Sequence, residues 1–167
     1  LDSRIKNIKF IAACDVQNPL TGKTGAANVF GRQKGATEEM VKILDNNLKH
    51  YAELIRKDVK VDVENIPGAG AAGGLGAGLM AFLNAELRKG IDIVVEYSKL
   101  EEKIKGADFV ITGEGSIDSQ TRFGKTPYGV VSVAKKYGVP NITLAGNVSK
   151  DIEILYDYGF DAIFSIT

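Results

Sequence analysis

Residues 107–167 read ADFVITGEGSIDSQTRFGKTPYGVVSVAKKYGVPNITLAGNVSKDIEILYDYGFDAIFSIT, and this stretch decides the fold. The apolar run 107–112 ends at Gly113 and reads as a strand. Thr126 and Pro127 follow as an N-cap and a first-turn proline, and Gly138 supplies the stop. Between them Val130, Val131, Val133, Ala134 and Tyr137 recur at helical spacing. Residues 141–145 form the next strand. Ser149 then caps a second helix carrying Ile152, Ile154, Leu155 and Tyr158, closed by Gly159, and 161–166 is a third strand. Such a β-α-β-α-β run with short joints predicts parallel strands and right-handed crossovers. Three strands are too few for a doubly wound sheet. With a first residue Leu1 and an end in an apolar run, the expectation is a Rossmann-like piece of an incomplete three-layer sheet within a longer protein.

Upstream the pattern is less regular. Residues 6–14 read as a strand that hands over to a polar, glycine-containing loop, 15–35. Thr37 caps a long helix on which Met40, Val41, Leu44, Leu48, Tyr51, Ala52 and Ile55 share one stripe. His50, the sole histidine, lies roughly opposite that stripe and reads as solvent-facing. Residues 60–66 alternate and predict a strand. A glycine-dense segment, 67–78, precedes an apolar helix reaching about Leu87. Residues 91–95 read as another strand, and Ser98 with Glu101 as a capping box for a short helix. The fold class is therefore α/β, with two small lobes: 1–105, a central α/β lobe, and 106–167, the Rossmann-like part.

Composition narrows the function classes. Of 167 residues, 44% are hydrophobic and 25% charged, and Lys plus Arg (21) balances Asp plus Glu (21). A neutral chain gives no electrostatic reason to expect nucleic acid or an anionic membrane as partner. Cys14, the one cysteine, sits in an apolar run and reads as a small buried hydrophobe. No apolar stretch approaches the roughly 18 residues of a membrane span, and the first ten residues do not form a signal peptide. The default location is cytoplasmic.

Three polar, glycine-marked segments could carry chemistry. In CDVQNPLTGKTGA, residues 14–26, Asp15 stands at a strand end, where α/β proteins place ligands; Asn18-Pro19 and Thr21-Gly22 are also good turn formers. In PGAGAAGGLGAG, residues 67–78, Gly68, Gly70 and Gly73 fit the GxGxxG spacing. Backbone amides there, including that of Gly74, could cradle an anion at a helix start. Close helix packing through small residues would explain the same composition. Glu96, the acid available for a ribose, falls further on than the usual ~20 residues. The third segment, residues 112–127, is the most specific. It joins a parallel strand to a helix and carries Glu114, Asp118, Gln120, Arg122 and Lys125. Two carboxylates four apart could hold Mg²⁺, which takes one or two carboxylates plus phosphate oxygens. Arg122 and Lys125 could meet the charge of a transferring phosphoryl group.

The blocks CDVQNPLTGKTGA (14–26), FGRQKGAT (30–37), PGAGAAGGLGAGL (67–79) and ADFVITGEGSIDSQTRFGKTPYGV (107–130), in that order, resemble the bacterial glycerate kinase family. Ser116 stands where many relatives carry arginine. The resemblance implies transfer of the ATP γ-phosphoryl group to D-glycerate with Mg²⁺, usually giving 2-phosphoglycerate, and two α/β lobes. It implies small-molecule partners and admits a homo-oligomer. On the matching positions, Asp118, Glu114, Asp15 and Lys125 would be catalytic, with Glu114 and Asp118 holding the metal. Gly68, Gly70, Gly73, Gly74, Asn18, Arg122 and Gln120 would bind substrate or phosphate. Which acid serves as base is left open. The alternatives are an NAD-binding oxidoreductase domain, resting on GxGxxG, and an inactive kinase remnant.

Overall fold

The structure, a computed structural model, describes residues 2–167. The chain divides into two compact units, Leu1–Arg88 and Lys89–Thr167.

In the first unit, strands β1 (Ile11–Ala13) and β2 (Glu86–Arg88) pair in parallel, Ile11 opposite Glu86 and Ala13 opposite Arg88. Between them lie helices α1 (Ala26–Phe30), α2 (Glu38–Asp58) and α3 (Leu75–Leu83). Helix α2 begins where Thr37 accepts the Met40 amide at 3.2 Å. Glu38 and Glu39 occupy its first turn and Arg56 and Lys57 its last, the arrangement that complements the helix dipole. Its stripe is buried only in part. Val41, Ala52 and Ile55 are inside, whereas Met40 and Leu44 remain exposed. The core gathers Leu20, Ala52, Ile55, Val63, Ala69, Ala77 and Ala81. Four of these seven are alanines, so backbones approach closely.

Two expectations are corrected here. Residues 60–66 form no strand. Their alternation is nevertheless real: Val63 is fully buried while Asp62 and Glu64 face outward to Arg56, at 3.1 and 2.9 Å. Thr21 donates to Glu64 at 2.9 Å, and the Leu20 amide to the Glu64 carbonyl at 3.0 Å. Side chains and one loop thus hold the segment where the sequence suggested a ladder. Helix α3 ends at Leu83, short of Leu87, because Asn84 turns left-handed (φ 50°) and releases the chain into β2.

The second unit starts with α4 (Gly90–Tyr97) and α5 (Leu100–Ile104). The expected strand at 91–95 is thus a helix, since a short apolar run cannot distinguish the two by itself. Ser98 closes α4 by donating to the Val95 carbonyl at 3.3 Å and does not open α5. Val95, Leu100 and Ile104 pack with Val133, Ala134 and Val139. That packing joins α4 and α5 to the unit Lys89–Thr167.

The rest is β3 (Val110–Ile117), α6 (Thr126–Lys136), β4 (Asn141–Val148), α7 (Glu153–Asp157) and β5 (Ala162–Ser165). The strands are parallel in the order β3-β4-β5, as the reading of 107–167 requires. The helix N-cap falls on Lys125 rather than Thr126, and Ile152 rather than Ser149 precedes α7. Val131, Ala145, Leu155 and Phe160 pack together on the face that α6 covers, joined by Ile117 at the end of β3. On the other, Ile111 is 58% and Phe164 55% exposed. Among the described residues no helix is long and apolar enough to cross a membrane.

Candidate active site

Strand β3 runs further than the sequence suggested. Its pairing with β4 continues through Glu114 opposite Ala145 to Ile117 opposite Val148. Glu114 is therefore held on a strand, and only Asp118 and its successors belong to the loop. A side chain at Gly113 would collide with the Leu144 carbonyl of the neighbouring strand, so glycine is required where the two strands press together.

Asp118 caps a 3-10 turn, Ser119–Phe123, by accepting the Gln120 amide at 2.9 Å. The Thr121 hydroxyl donates to Glu114 Oε1 at 3.2 Å and accepts the Asp118 amide at 3.3 Å, a reciprocal capping arrangement. Gly124, left-handed at φ 108°, ends the turn and returns the chain so that Lys125 reaches back. Its Nζ donates to Asp118 Oδ1 at 3.2 Å and lies 3.9 Å from Glu114 Oε1. The Glu114 side chain is 22% exposed, that of Asp118 38% and that of Lys125 39%. The three charges thus stand together, solvent-reachable, at the carboxyl end of a parallel strand.

Of the remaining candidates, Arg122 and Gln120 lie on the 3-10 turn and the others belong to the first unit. Arg122 projects toward α7, its guanidinium 4.7 Å from the Phe123 ring centroid and 5.5 Å from that of Tyr158. Its Nε is buried with no hydrogen-bond partner among the described residues. Gln120 is exposed beside it. In the first unit, exposed Asp15 follows β1. Asn18 is committed locally: its side-chain amide donates to the Thr24 carbonyl at 2.8 Å, and its own carbonyl accepts the Gly70 amide at 3.0 Å. The glycine segment is largely self-satisfied. The amides of Gly70, Ala71, Gly73, Gly74 and Ala77 all donate to backbone carbonyls. A side chain at Gly70 would strike the Pro19 carbonyl, and one on Gly68 would meet Leu87 and Cys14. Gly73 (φ 72°) has open space around it. His50 is exposed, 3.8 Å from Glu53.

Sequence reasoning gave no role to two polar neighbours of the cluster. Thr121 is fully buried; its signal is a threonine three residues after a capping aspartate. The hydroxyls of Ser119 and Ser149 hold the Asp151 carboxyl below the usual range. Ser149 is local to residue 151, but nothing near it announces Ser119. Among the described residues no group of three or more His, Cys, Asp or Glu is gathered as a metal site.

A parallel sheet that carries acids and a lysine at the carboxyl end of a strand belongs to the α/β class whose ligands bind at that edge. The profile of the glycerate kinase family matches residues 1–167, and the chain belongs to that family. It is 55% identical over 166 residues to glycerate 2-kinase of Escherichia coli K12, covering 99% of this chain and 44% of that protein. A glycerate kinase of Bacillus cereus is 54% identical over 167 residues, again across 44% of its length. The crystal structure of a Salmonella typhimurium LT2 protein assigned as glycerate kinase 2 superposes with a TM-score of 0.85 at 52% identity, over 99% of this chain and 42% of that one. The chain thus spans less than half the length of the relatives it matches.

Proposed function

We propose that this chain is the part of a glycerate kinase that carries its phosphoryl-transfer acids, and that the whole protein moves the γ-phosphoryl group of ATP to D-glycerate, giving 2-phosphoglycerate. The observation that carries this reading is the Lys125–Asp118–Glu114 cluster at the end of β3, in a chain of this family. A hydroxyl nucleophile needs a base within hydrogen-bond reach, and both carboxylates are accessible. Asp118 is our choice for that base. Lys125, already paired with it, would offset negative charge on the transferred group. Two carboxylates also suit Mg²⁺, which completes its coordination with phosphate oxygens and water; Glu114 and Asp118 would hold it, and the ion would neutralise phosphate charge when bound. Arg122 and Gln120, on the same turn, would contact the anionic substrate; in the first unit, taken by itself, Asp15 is a candidate catalytic acid and Asn18 and Gly73 are candidate phosphate contacts. Close neighbours that a side chain would meet favour a packing role for Gly68, Gly70 and Gly74, whereas Gly73 has open space. A kinase that draws on ATP would work in the cytoplasm.

The test is a chimera in which residues 1–167 replace the matching segment of the E. coli enzyme. ATP and D-glycerate should give ADP and 2-phosphoglycerate, read by ³¹P NMR. A folded chimera that consumes no ATP with D-glycerate would reject the proposal.

A further inference from the structure

We infer that Thr121 is a positioning residue that fixes the two carboxylates and the lysine of the β3 cluster relative to one another; its functional half rests on the kinase reading above. Three separate contacts converge on it. Its hydroxyl donates to Glu114 Oε1 at 3.2 Å and accepts the Asp118 amide at 3.3 Å. Its carbonyl accepts the Lys125 amide at 3.3 Å. The direction of the hydroxyl hydrogen follows from chemistry: a carboxylate can only accept and an amide can only donate. One buried oxygen therefore joins a strand residue to a loop residue, and the same residue's carbonyl anchors the residue bearing the ammonium group. Thr121 is 0% exposed, so water cannot replace the hydroxyl when it is removed. It has no route to substrate either, so any effect on turnover must pass through Glu114, Asp118 and Lys125.

The variants are Thr121→Val, which keeps the shape and removes the hydroxyl, Thr121→Ser, which keeps the hydroxyl, and Thr121→Ala as the reference for Ser should Val fail to fold. In the chimera, Val should lower kcat roughly 10²-fold, the order expected for misplacing reacting groups by about an ångström. KM for D-glycerate should move by less than about threefold, and Ser should recover most of the kcat that Val or Ala loses. Equal kcat in Ser and Ala, or a loss in Val matched by its loss of folded protein, would overturn the inference. A second readout uses the 167-residue chain and no activity. In ¹³C/¹⁵N spectra Val or Ala, but not Ser, should shift the Glu114 carboxyl and Asp118 amide resonances and speed exchange of the Asp118 amide. Unmoved resonances would likewise overturn the inference. If the unsubstituted chimera does not turn over, the kinase reading falls, and these spectra alone decide whether Thr121 positions the cluster.

Discussion

Asp118 has two jobs that a single substitution can separate. Its Oδ1 caps the 3-10 turn through the Gln120 amide, and its charge faces Lys125. Asparagine caps about as well as aspartate, so Asp118→Asn keeps the first job and loses the second. In the chimera, kcat should fall ~10²–10³-fold while stability changes by no more than about 0.5 kcal/mol. Kinetics and thermal melts on the same preparations check this, and a variant that keeps its kcat would move the base to Glu114. Gly70 gives the opposite expectation. A valine there meets the Pro19 carbonyl, and overpacking costs about 1–3 kcal/mol. Urea unfolding of Gly70→Val should show that loss; unchanged stability with weakened nucleotide binding would restore the anion cradle. The acids and the lysine were legible in the sequence because strand-end carboxylates beside glycines announce themselves. The glycines keep two readings because composition does not say whether a missing side chain makes room for a ligand or for the chain's own loop. Thr121 and Asp151 were illegible in role because their partners are set by how the turn folds back.

Elements were legible where a pattern and its caps agreed. The three parallel strands, α6 and the Thr37-capped α2 fall within a few residues of expectation. Failures came where the tertiary partner decides: 60–66 alternates without a neighbouring strand, and 91–95 packs as a helix on α6. That packing is tight enough to test. A side chain at Gly129 would collide with Ile91, so Gly129→Val should separate α4 from α6 and cost about 1–3 kcal/mol, read in urea unfolding. Asp151, in the loop after β4, interacts with the hydroxyl of Ser119 on the 3-10 turn and with that of Ser149. Its carboxyl is lowered by those hydroxyls. The tie therefore stabilises above the unfolded value, near pH ~3.9, and is lost as pH falls through the lower folded value. Amide exchange at 119–123, corrected for its intrinsic pH dependence, should show protection falling only below about pH 4, and Asp151→Asn should abolish that step. A protection profile flat across this range would reject the tie.

At the scale of the molecule, the open face of the second unit's sheet invites the last prediction. Parallel sheets are ordinarily covered on both faces, yet here only one carries a buried core. On the other face Ile111 is 58% and Phe164 55% exposed, and nearby Ile166 is 70% exposed. The pairs Ile111–Ile142 and Leu144–Phe164 are adjacent across the strands, so these side chains form one patch. Contiguous apolar patches bind hydrophobic dyes and mark contact surfaces. The 167-residue chain should therefore raise anilinonaphthalene sulfonate fluorescence while its β4 amides stay protected, which separates a native patch from a loosened core. Phe164→Lys should quench that signal in the chain alone and change stability by no more than about 0.5 kcal/mol, as exposed substitutions do. The chimera supplies the length of the relatives that this chain does not span. If that length lies over the sheet, the same lysine is taken out of water there, at a cost of several kcal/mol. Dye binding should then be weak in the chimera and Phe164→Lys strongly destabilising. Equal tolerance of the lysine in both proteins would mean that this face is left open in the whole enzyme as well.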